Sequence, residues 1–148
     1  MKLYIVGAVG SGKSTLARRI SQRTGVPCTH LDEVVYEKDP TTPMGDRKRP
    51  EEEIAALFEA ALNQPHFILE DTGRERFLAG MARADTIVLM DPPTRVRRYR
   101  IVKRWLKQRL GLEKSLYRPS FKVLRAMFGY TQDYDTGRDG TKARVARF

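Results

Sequence analysis

The chain has little of what stabilises secreted or membrane proteins. Its one cysteine, Cys28, has no partner in the chain for a disulfide, which is typical of a protein of a reducing compartment. No apolar run approaches the roughly 20 residues that a transmembrane helix needs. The apolar stretch at the start is too short for a signal peptide, and no small-residue cleavage site follows it. The sequence therefore favours a cytoplasmic protein without a membrane partner.

Acidic residues are scarce in the last third of the chain, so the charge is uneven. Residues 1–91 carry 12 Lys and Arg against 14 Asp and Glu, whereas residues 92–148 carry 16 against 4. The formal net charge of +10 therefore comes from the C-terminal third. With 148 residues, 41% of them hydrophobic, the composition is typical of one globular domain. Its function has to account for this cluster of cations.

Strands alternate with helices along the chain. Short β-branched and aromatic runs predict strands, and apolar positions at helical spacing predict helices. This alternation is typical of an α/β domain with a parallel sheet. Strands are expected at 2–6, 28–31, 66–69 and 86–90, and helices at 13–24, 50–62, 74–83, 95–109 and 121–130. The segments expected to be loops or turns are 36–49, 111–120 and 133–140.

The long basic helix at 95–109 is amphipathic in the sequence. Its apolar stripe predicts a buried face, and we expect Tyr99 to lie in the core. The stripe consists of Val96, Tyr99, Val102, Leu106 and Leu110.

A complete phosphate-binding motif follows the first predicted strand. Residues 7–14 match G-x-x-x-x-G-K-[ST], and the next predicted helix starts near Lys13. The glycines let successive backbone amides point inward at a phosphate, and the helix N-terminus adds its positive end. Lys13 would reach the β- and γ-phosphates of ATP, and the Ser14 hydroxyl would bind Mg²⁺. The motif residues are Gly7, Ala8, Val9, Gly10, Ser11, Gly12, Lys13 and Ser14.

Such a site needs a carboxylate at the end of a neighbouring strand to support Mg²⁺. Glu70 and Asp71 follow one predicted strand, and Asp91 follows another. We favour the Glu70–Asp71 pair, although Asp91 is an alternative from the residues alone.

Two classes of phosphate-loop protein are excluded. No N-K-x-D tetrapeptide, which GTPases use to read guanine, occurs in the sequence, and no long glycine-rich transporter signature does either. A small phosphotransferase remains, which works by positioning its substrates and by neutralising the transferring group with arginines. Residues 95–125 supply a suitable basic segment.

The sequence resembles the nucleoside monophosphate kinase group of phosphate-loop proteins, and more closely the small adenylate-kinase-related "topology modulation" (FlaR-type) proteins. The likeness covers essentially the whole chain. It rests on four features, which are Gly7–Thr15, His30–Asp32, Phe67–Arg74, and Ala84–Asp91 running into Arg100–Arg104.

The resemblance implies roles for several residues. Asp32 would face the phosphoryl acceptor as a catalytic group. Glu70 would be the metal-side carboxylate, and Arg74, four positions later, a cation of the acceptor site. Arg104 falls at the arginine that precedes the family's lid, and would act in catalysis and bind ATP together with Gly7–Thr15 and Arg109. Further candidates to clamp phosphates are Arg100, Arg109, Arg118 and Arg125.

The resemblance also implies a fold and its segments. It implies a three-layer α/β/α phosphate-loop kinase fold with a parallel sheet in the order 2-3-1-4, the first strand being central. Residues 32–63 would bind the acceptor, and residues 104–125 would form a basic helical lid. Arg47, Lys48 and Arg49 are expected to shape a pocket that fits many anionic substrates. The family continues into a fifth strand, which has no counterpart here, and Glu70-Asp71 stands where the family usually has Asp-Gly.

Two functions follow from these patterns. The first is phosphoryl transfer from Mg-ATP to a small anionic or hydroxylated acceptor. The second is nucleotide-dependent DNA binding, because the basic C-terminal third has enough charge to bind a nucleic-acid backbone. No helix-turn-helix or zinc-finger spacing supports base reading, so the first function is favoured. Neither the acceptor nor the oligomeric state follows from the sequence.

Overall fold

Helices and strands alternate through the computed structural model, which describes residues 1–148. The strands are β1 (Lys2–Gly7), β2 (Cys28–His30), β3 (Tyr36–Lys38), β4 (Asp46–Lys48), β5 (Phe67–Asp71) and β6 (Thr86–Met90). The helices are α1 (Lys13–Thr24), α2 (Leu31–Val35), α3 (Glu51–Leu62), α4 (Leu78–Ala82), α5 (Thr94–Arg109), α6 (Phe121–Thr136) and α7 (Thr141–Val145). No helix combines the length and apolarity that a membrane span requires.

Four strands form the main sheet, and all of them are parallel. Its order is β2-β5-β1-β6, so the first strand is central. In the order of these four strands along the chain this is 2-3-1-4, which confirms the expected α/β fold class and sheet order. The carboxyl ends of the four strands therefore lie along one edge, where ligands bind in open α/β sheets.

The two faces of the sheet are covered by different helices. Alternate residues of β1 point to opposite sides, because the side-chain period of a strand is two. Tyr4 and Val6 pack into a core with α2, α3 and α4, and Ile5 packs with Ala17 of α1 on the other side. These residues are buried, which makes the sheet the middle of three layers.

The segment expected to be a loop at 36–49 contains a hairpin instead. Strands β3 and β4 pair antiparallel, with Tyr36 opposite Lys48 and Lys38 opposite Asp46. Strands of three residues are too short to show an alternating pattern, and the prolines that argued for a loop lie in the connecting turn. Gly45 has a φ of 80° at the end of that turn, which is left-handed backbone that favours glycine.

Two helix boundaries also differ from the expectation. Residues 74–83 form a short 3₁₀ turn at Glu75–Phe77 before α4, and β5 extends to Asp71. The helix expected to end at 130 continues to Thr136, because Thr131 and Tyr134 extend its buried face beyond that point. Gly137, with a φ of 74°, ends it.

Most of the apolar stripe expected to bury α5 is exposed, which corrects the prediction. Tyr99 is 64% exposed and Leu110 is 71% exposed. The buried positions are Arg97, Ile101 and Trp105, which recur every four residues on another face. The apolar pattern fails here because a charged residue is buried instead. Arg97 has carboxylate and carbonyl partners inside the protein, and they stabilise its burial.

Arg97 is a buried cation that joins β6, α5 and α6. Its guanidinium donates to Asp91 Oδ1 at 3.2 Å, to the Pro92 carbonyl at 2.9 Å and to Asp135. It also lies 5.0 Å above the Tyr134 ring. A buried charge is tolerated only when it is paired and hydrogen-bonded in this way. Arg97 therefore positions α5 against the rest of the domain.

We expect Arg97→Met to destabilise the chain by about 2–3 kcal/mol, because it leaves Asp91 and Asp135 without their shared cation. The figure is below that of a fully enclosed pair, since both carboxylates keep contact with solvent. Urea unfolding measures the change. Arg98→Met, at the exposed neighbouring position, is the matched control and should change stability little. Equal stability of the two variants would contradict this role of Arg97.

Candidate active site

A cleft of about 950 Å³ opens at the carboxyl edge of the sheet. The phosphate loop and α1 form one part of its wall, α2 and the β3–β4 hairpin a second, and residues 113–117 with α6 a third. Most of the residues singled out in the sequence meet here. They are Val9, Lys13, Ser14, Asp32, Glu70, Arg74 and Arg104.

The phosphate loop has the tight backbone that its glycines predict. Gly10 and Gly12 have φ values of 76° and 97°, in the left-handed region. A Cβ atom at Gly7 would lie 2.5 Å from the Met90 carbonyl, and one at Gly10 would lie 2.7 Å from the Arg97 carbonyl. The loop is thus packed between β6 and α5. The Gly10 and Gly12 amides donate to no protein acceptor, so they can bind an anion.

A row of charged groups crosses the cleft beside the loop. Lys13 Nζ lies 3.3 Å from Glu70 Oε1, and His30 Nδ1 lies 2.6 Å from Glu70 Oε2. Lys13 and Glu70 are both buried. Glu70 lies there because β5 pairs with both β1 and β2, and His30 is its direct partner in the register.

The contacts within the charged row shift the pKa of His30 and that of Glu70. The Cys28 sulfur and the Glu70 carboxylate raise the pKa of His30 to about 10. Burial alone would raise the pKa of Glu70, but the hydrogen bond from His30 and the charge of Lys13 outweigh it and lower that pKa to about 2. At neutral pH the row therefore carries a carboxylate between two cations.

Asp71 points away from this row. Its carboxylate accepts hydrogen bonds from the amides of Gly73 and Arg74, at 2.7 and 2.6 Å, and from the Arg74 guanidinium at 2.8 Å. Neighbouring residues of a strand face opposite sides, so Glu70 and Asp71 cannot both face the phosphate loop. Asp71 holds the turn that carries Arg74, and Glu70 is the carboxylate in the cleft.

Asp32 and Arg74 form an ion pair in the wall of the cleft. Asp32 lies in the first turn of the short helix α2, and its side chain is half exposed. Arg74 lies between Asp32 and Asp71, so its charge is shared by two carboxylates. Arg74 thereby fixes the position of Asp32.

The candidate arginines separate into two groups. Arg104 lines the cleft, and its guanidinium lies 3.5 Å from the Met127 sulfur. Arg100 donates to the Ser11 carbonyl at 2.8 Å, on the outside of the phosphate loop. Arg109 stacks on Trp105 and Phe121, Arg118 binds the hairpin through the Pro40 carbonyl, and Arg125 is exposed; none of these three lines the cleft.

Asp91, the alternative metal-side carboxylate, lies outside the cleft. It pairs with Lys142 at 2.8 Å and with the buried Arg97.

His30 is the residue whose position in the site did not follow from the sequence. The signal was its place two residues before Asp32 at a strand end, but its contact with Glu70 depends on the strand register, which the sequence does not show.

The donor atoms at the loop fit Mg²⁺. Ser14 and Glu70 both line the cleft, and the hydroxyl and the carboxylate are hard oxygen donors. No group of three His, Cys, Asp or Glu side chains is placed to hold a metal ion by protein ligands alone. Mg²⁺ in nucleotide sites usually keeps waters and phosphate oxygens as ligands, so a two-residue set is sufficient.

Two solved structures resemble this fold at low identity. A gluconokinase from Sinorhizobium meliloti 1021 shares 16% identity with a TM-score of 0.49, over 90% of this chain and 92% of that one. A deoxyadenosine kinase from M. mycoides with bound dATP shares 13% identity with a TM-score of 0.47, over 99% and 96%. No family model and no curated protein matches the chain. The resemblance to topology modulation proteins therefore stays a prediction, and the function has to be argued from the site.

We expect His30→Gln to lower the free energy of unfolding strongly at pH 6 and little at pH 10. Glutamine keeps a donor for Glu70 but carries no charge. The pKa of His30 rises from 6.5 to about 10 on folding, so its protonated ring stabilises the fold fully below pH 6.5. That stabilisation is lost as the pH rises through 10.

Urea unfolding at pH 6, 8 and 10 measures this difference. His66→Gln is the control, because His66 is exposed at the opposite end of β5 from the cleft. A difference between wild type and His30→Gln that does not change with pH would show that His30 is uncharged in the fold.

Proposed function

We propose that this chain is a phosphotransferase that moves the γ-phosphoryl group of Mg-ATP to a small acceptor. The observation that supports it best is the shared cleft, which the loop residues Val9, Lys13 and Ser14 line together with Asp32. A protein that only bound nucleotide would not need a half-exposed carboxylate in the same cleft as the loop. Binding both substrates in one orientation supplies much of the rate of such a reaction.

The phosphate loop would hold the β- and γ-phosphates. The Gly10 and Gly12 amides and the N-terminus of α1 would donate to phosphate oxygens. Lys13, which pairs with Glu70, would turn its ammonium to the phosphates as they enter. Ser14 and Glu70 would hold Mg²⁺, which would neutralise phosphate charge when bound.

Asp32 and Arg104 would act on the transferring group. Asp32 would accept the proton of the acceptor hydroxyl as its oxygen bonds to the γ-phosphorus. The bond to the β–γ bridging oxygen breaks, and its electron pair leaves with ADP. Arg104 would offset the charge on the equatorial oxygens, as arginines do in phosphoryl transfer. Glu70 would be oriented through this step by His30, which is hydrogen-bonded to it at 2.6 Å.

The chain segments divide between these tasks. In this proposal residues 32–63 carry the acceptor wall, and residues 104–125 act as the basic lid. The lid contacts the wall directly, since the Arg118 amide donates to the Met44 carbonyl at 2.7 Å. Arg109 is stacked on two rings rather than facing the cleft, so we assign phosphate contacts on the lid to Arg104.

We expect Lys13→Ala to reduce acceptor-stimulated ADP release by about 100- to 1,000-fold, the usual effect of removing one group that stabilises the transition state. The measurement is ADP release over a panel of nucleosides, nucleotides and hydroxylated metabolites. Lys107→Ala, at an exposed position of α5 outside the cleft, is the control. Absence of acceptor-stimulated turnover, with the two variants equal to wild type, would defeat the proposal.

A second candidate function is nucleotide-dependent binding of DNA. It is favoured by one observation, the exposed cations of α5 that pair with no carboxylate. These are Arg95, Arg98, Lys103 and Lys107, and Lys103 lies 5.7 Å from the ring of the exposed Tyr99. Such a surface suits the phosphate backbone of a duplex, without reading its sequence.

For this second function we expect duplex affinity to fall about 100-fold between roughly 50 and 200 mM salt, because four phosphate contacts release about four counterions. Fluorescence anisotropy with a labelled duplex measures it. Arg98→Glu with Lys103→Glu should abolish binding without changing ADP release. Affinity that is independent of salt, or unaffected by this double variant, would exclude α5 as a DNA surface.

A further inference from the structure

We propose that the phosphoryl acceptor bears hydroxyl groups and carries no phosphate or other negative charge. This inference rests on the proposed function and narrows its acceptor class. It comes from the charges that line the cleft and from the ion pairs that occupy the nearby arginines.

The wall expected to bind the acceptor is acidic. Five side chains from residues 32–63 line the cleft, of which three are carboxylates and none is a cation. The five residues are Asp32, Glu33, Tyr36, Met44 and Asp46. A phosphate placed against this wall would meet like charges in a partly enclosed space, where repulsion is strong. Hydroxyl groups would instead donate to these carboxylates.

The basic run at 47–49, which is expected to shape a pocket for anionic substrates, forms ion pairs outside the cleft instead. Arg47 pairs with Glu37 at 2.6 Å, and Lys48 pairs with Glu51 at 2.5 Å. Arg49 pairs with two carboxylates, those of Glu37 and Glu53, at 2.7 Å each. None of the three lines the cleft. Arg47 joins the two strands of the hairpin, Lys48 and Arg49 join the hairpin to α3, and none of the three offsets the carboxylates of the cleft-facing side.

Arg74 cannot serve as a free phosphate-binding arginine. One of its terminal nitrogens donates to Asp71 and the other to Asp32. A phosphate would have to displace a carboxylate from the guanidinium and leave that carboxylate beside itself. The pair is therefore arranged to hold Asp32, not to bind an acceptor anion.

The whole cleft is close to electrically balanced, although the chain carries +10. Seven acidic side chains and seven Lys or Arg side chains line it, and His30 pairs with Glu70. Mg-ATP brings a net charge of about −2, so the loaded cleft turns negative and selects against a second anion. The acidic set is Asp32, Glu33, Asp46, Glu70, Glu113, Asp133 and Asp139, and the basic set is Lys13, Arg18, Arg74, Arg104, Lys114, Lys122 and Arg144.

Apart from Arg74, whose charge is shared by Asp32 and Asp71, the cations of the cleft lie on the other walls. Lys13 and Arg18 belong to α1, and the lid side contributes Arg104, Lys114 and Lys122. These walls adjoin the phosphate loop, where ATP needs positive charge. The cleft therefore has a basic side for the donor and an acidic side for the acceptor.

The test compares acceptors in pairs that differ by one phosphate. The pairs are adenosine and AMP, cytidine and CMP, glycerol and glycerol 3-phosphate, and glucosamine and glucosamine 6-phosphate. We expect the unphosphorylated member of at least one pair to give a kcat/KM for ADP release at least 10-fold above that of its partner. The pairs separate nucleosides, polyols and amino sugars as sources of the same hydroxyl chemistry.

Asp46→Asn tests the acidic wall itself. It removes one negative charge from the cleft at nearly constant shape, and we expect it to raise kcat/KM for the phosphorylated members several-fold. Asp39→Asn, on the same hairpin but outside the cleft lining, is the matched control and should change nothing.

The outcomes separate the two levels of the proposal. Phosphorylated members that work as well as their partners, or better, overturn this inference and leave the phosphotransferase standing. Calorimetric binding of AMP or glycerol 3-phosphate to protein saturated with Mg²⁺ and a non-hydrolysable ATP analogue would likewise overturn this inference, even without turnover, and leave the phosphotransferase standing. Failure of every pair to stimulate ADP release, with Lys13→Ala equal to wild type, overturns the phosphotransferase and the inference together.

Discussion

The register between β2 and β5 is the constraint on which the site depends. It places His30 directly opposite Glu70, and the pairing of β5 with β1 brings Glu70 beside Lys13 at the start of α1. Three residues from distant parts of the chain thus form one buried charged row. A shift of one residue in β5 would turn Asp71 into the cleft and Glu70 away from it, because neighbouring side chains face opposite sides of a sheet. The phosphate loop would remain, but without its carboxylate.

A second charged cluster holds the other side of the loop. Arg97 is anchored by Asp91 and Asp135, and its own backbone carbonyl packs against Gly10. The position of α5 is therefore set by a buried ion-pair network together with the buried Ile101 and Trp105, and not by the apolar stripe seen in the sequence. This arrangement leaves the apolar and basic outer face of α5 in solvent, and it presents Arg104 to the cleft from the inner side. The same helix thus contributes a support for the phosphate loop and a cation of the cleft.

Charge pairing also decides the character of the proposed acceptor wall. In the sequence, the basic run at 47–49 indicates a pocket for anionic substrates, and Arg74 indicates a cation of the acceptor site. In the structure, Glu37, Glu51 and Glu53 neutralise the run, and two carboxylates share Arg74. Side chains that attract anions as isolated charges no longer do so once they are paired. The carboxylates that stay unpaired in the cleft, Glu33 and Asp46 among them, would then set the acceptor preference in the proposed reaction.

The sequence by itself determined the phosphate loop, the bounds of α1 and β6, and the sheet order implied by its resemblance, because these depend on local motifs and on the alternation of strands and helices. Tertiary structure decided everything that depends on which charges meet. It placed Glu70 in the cleft and Asp71 and Asp91 outside it, brought His30 beside Glu70, buried Arg97 in place of Tyr99, and formed a hairpin of three-residue strands. The physical reason is the same throughout: strand register and ion pairing join residues tens of positions apart, and no local periodicity records such contacts.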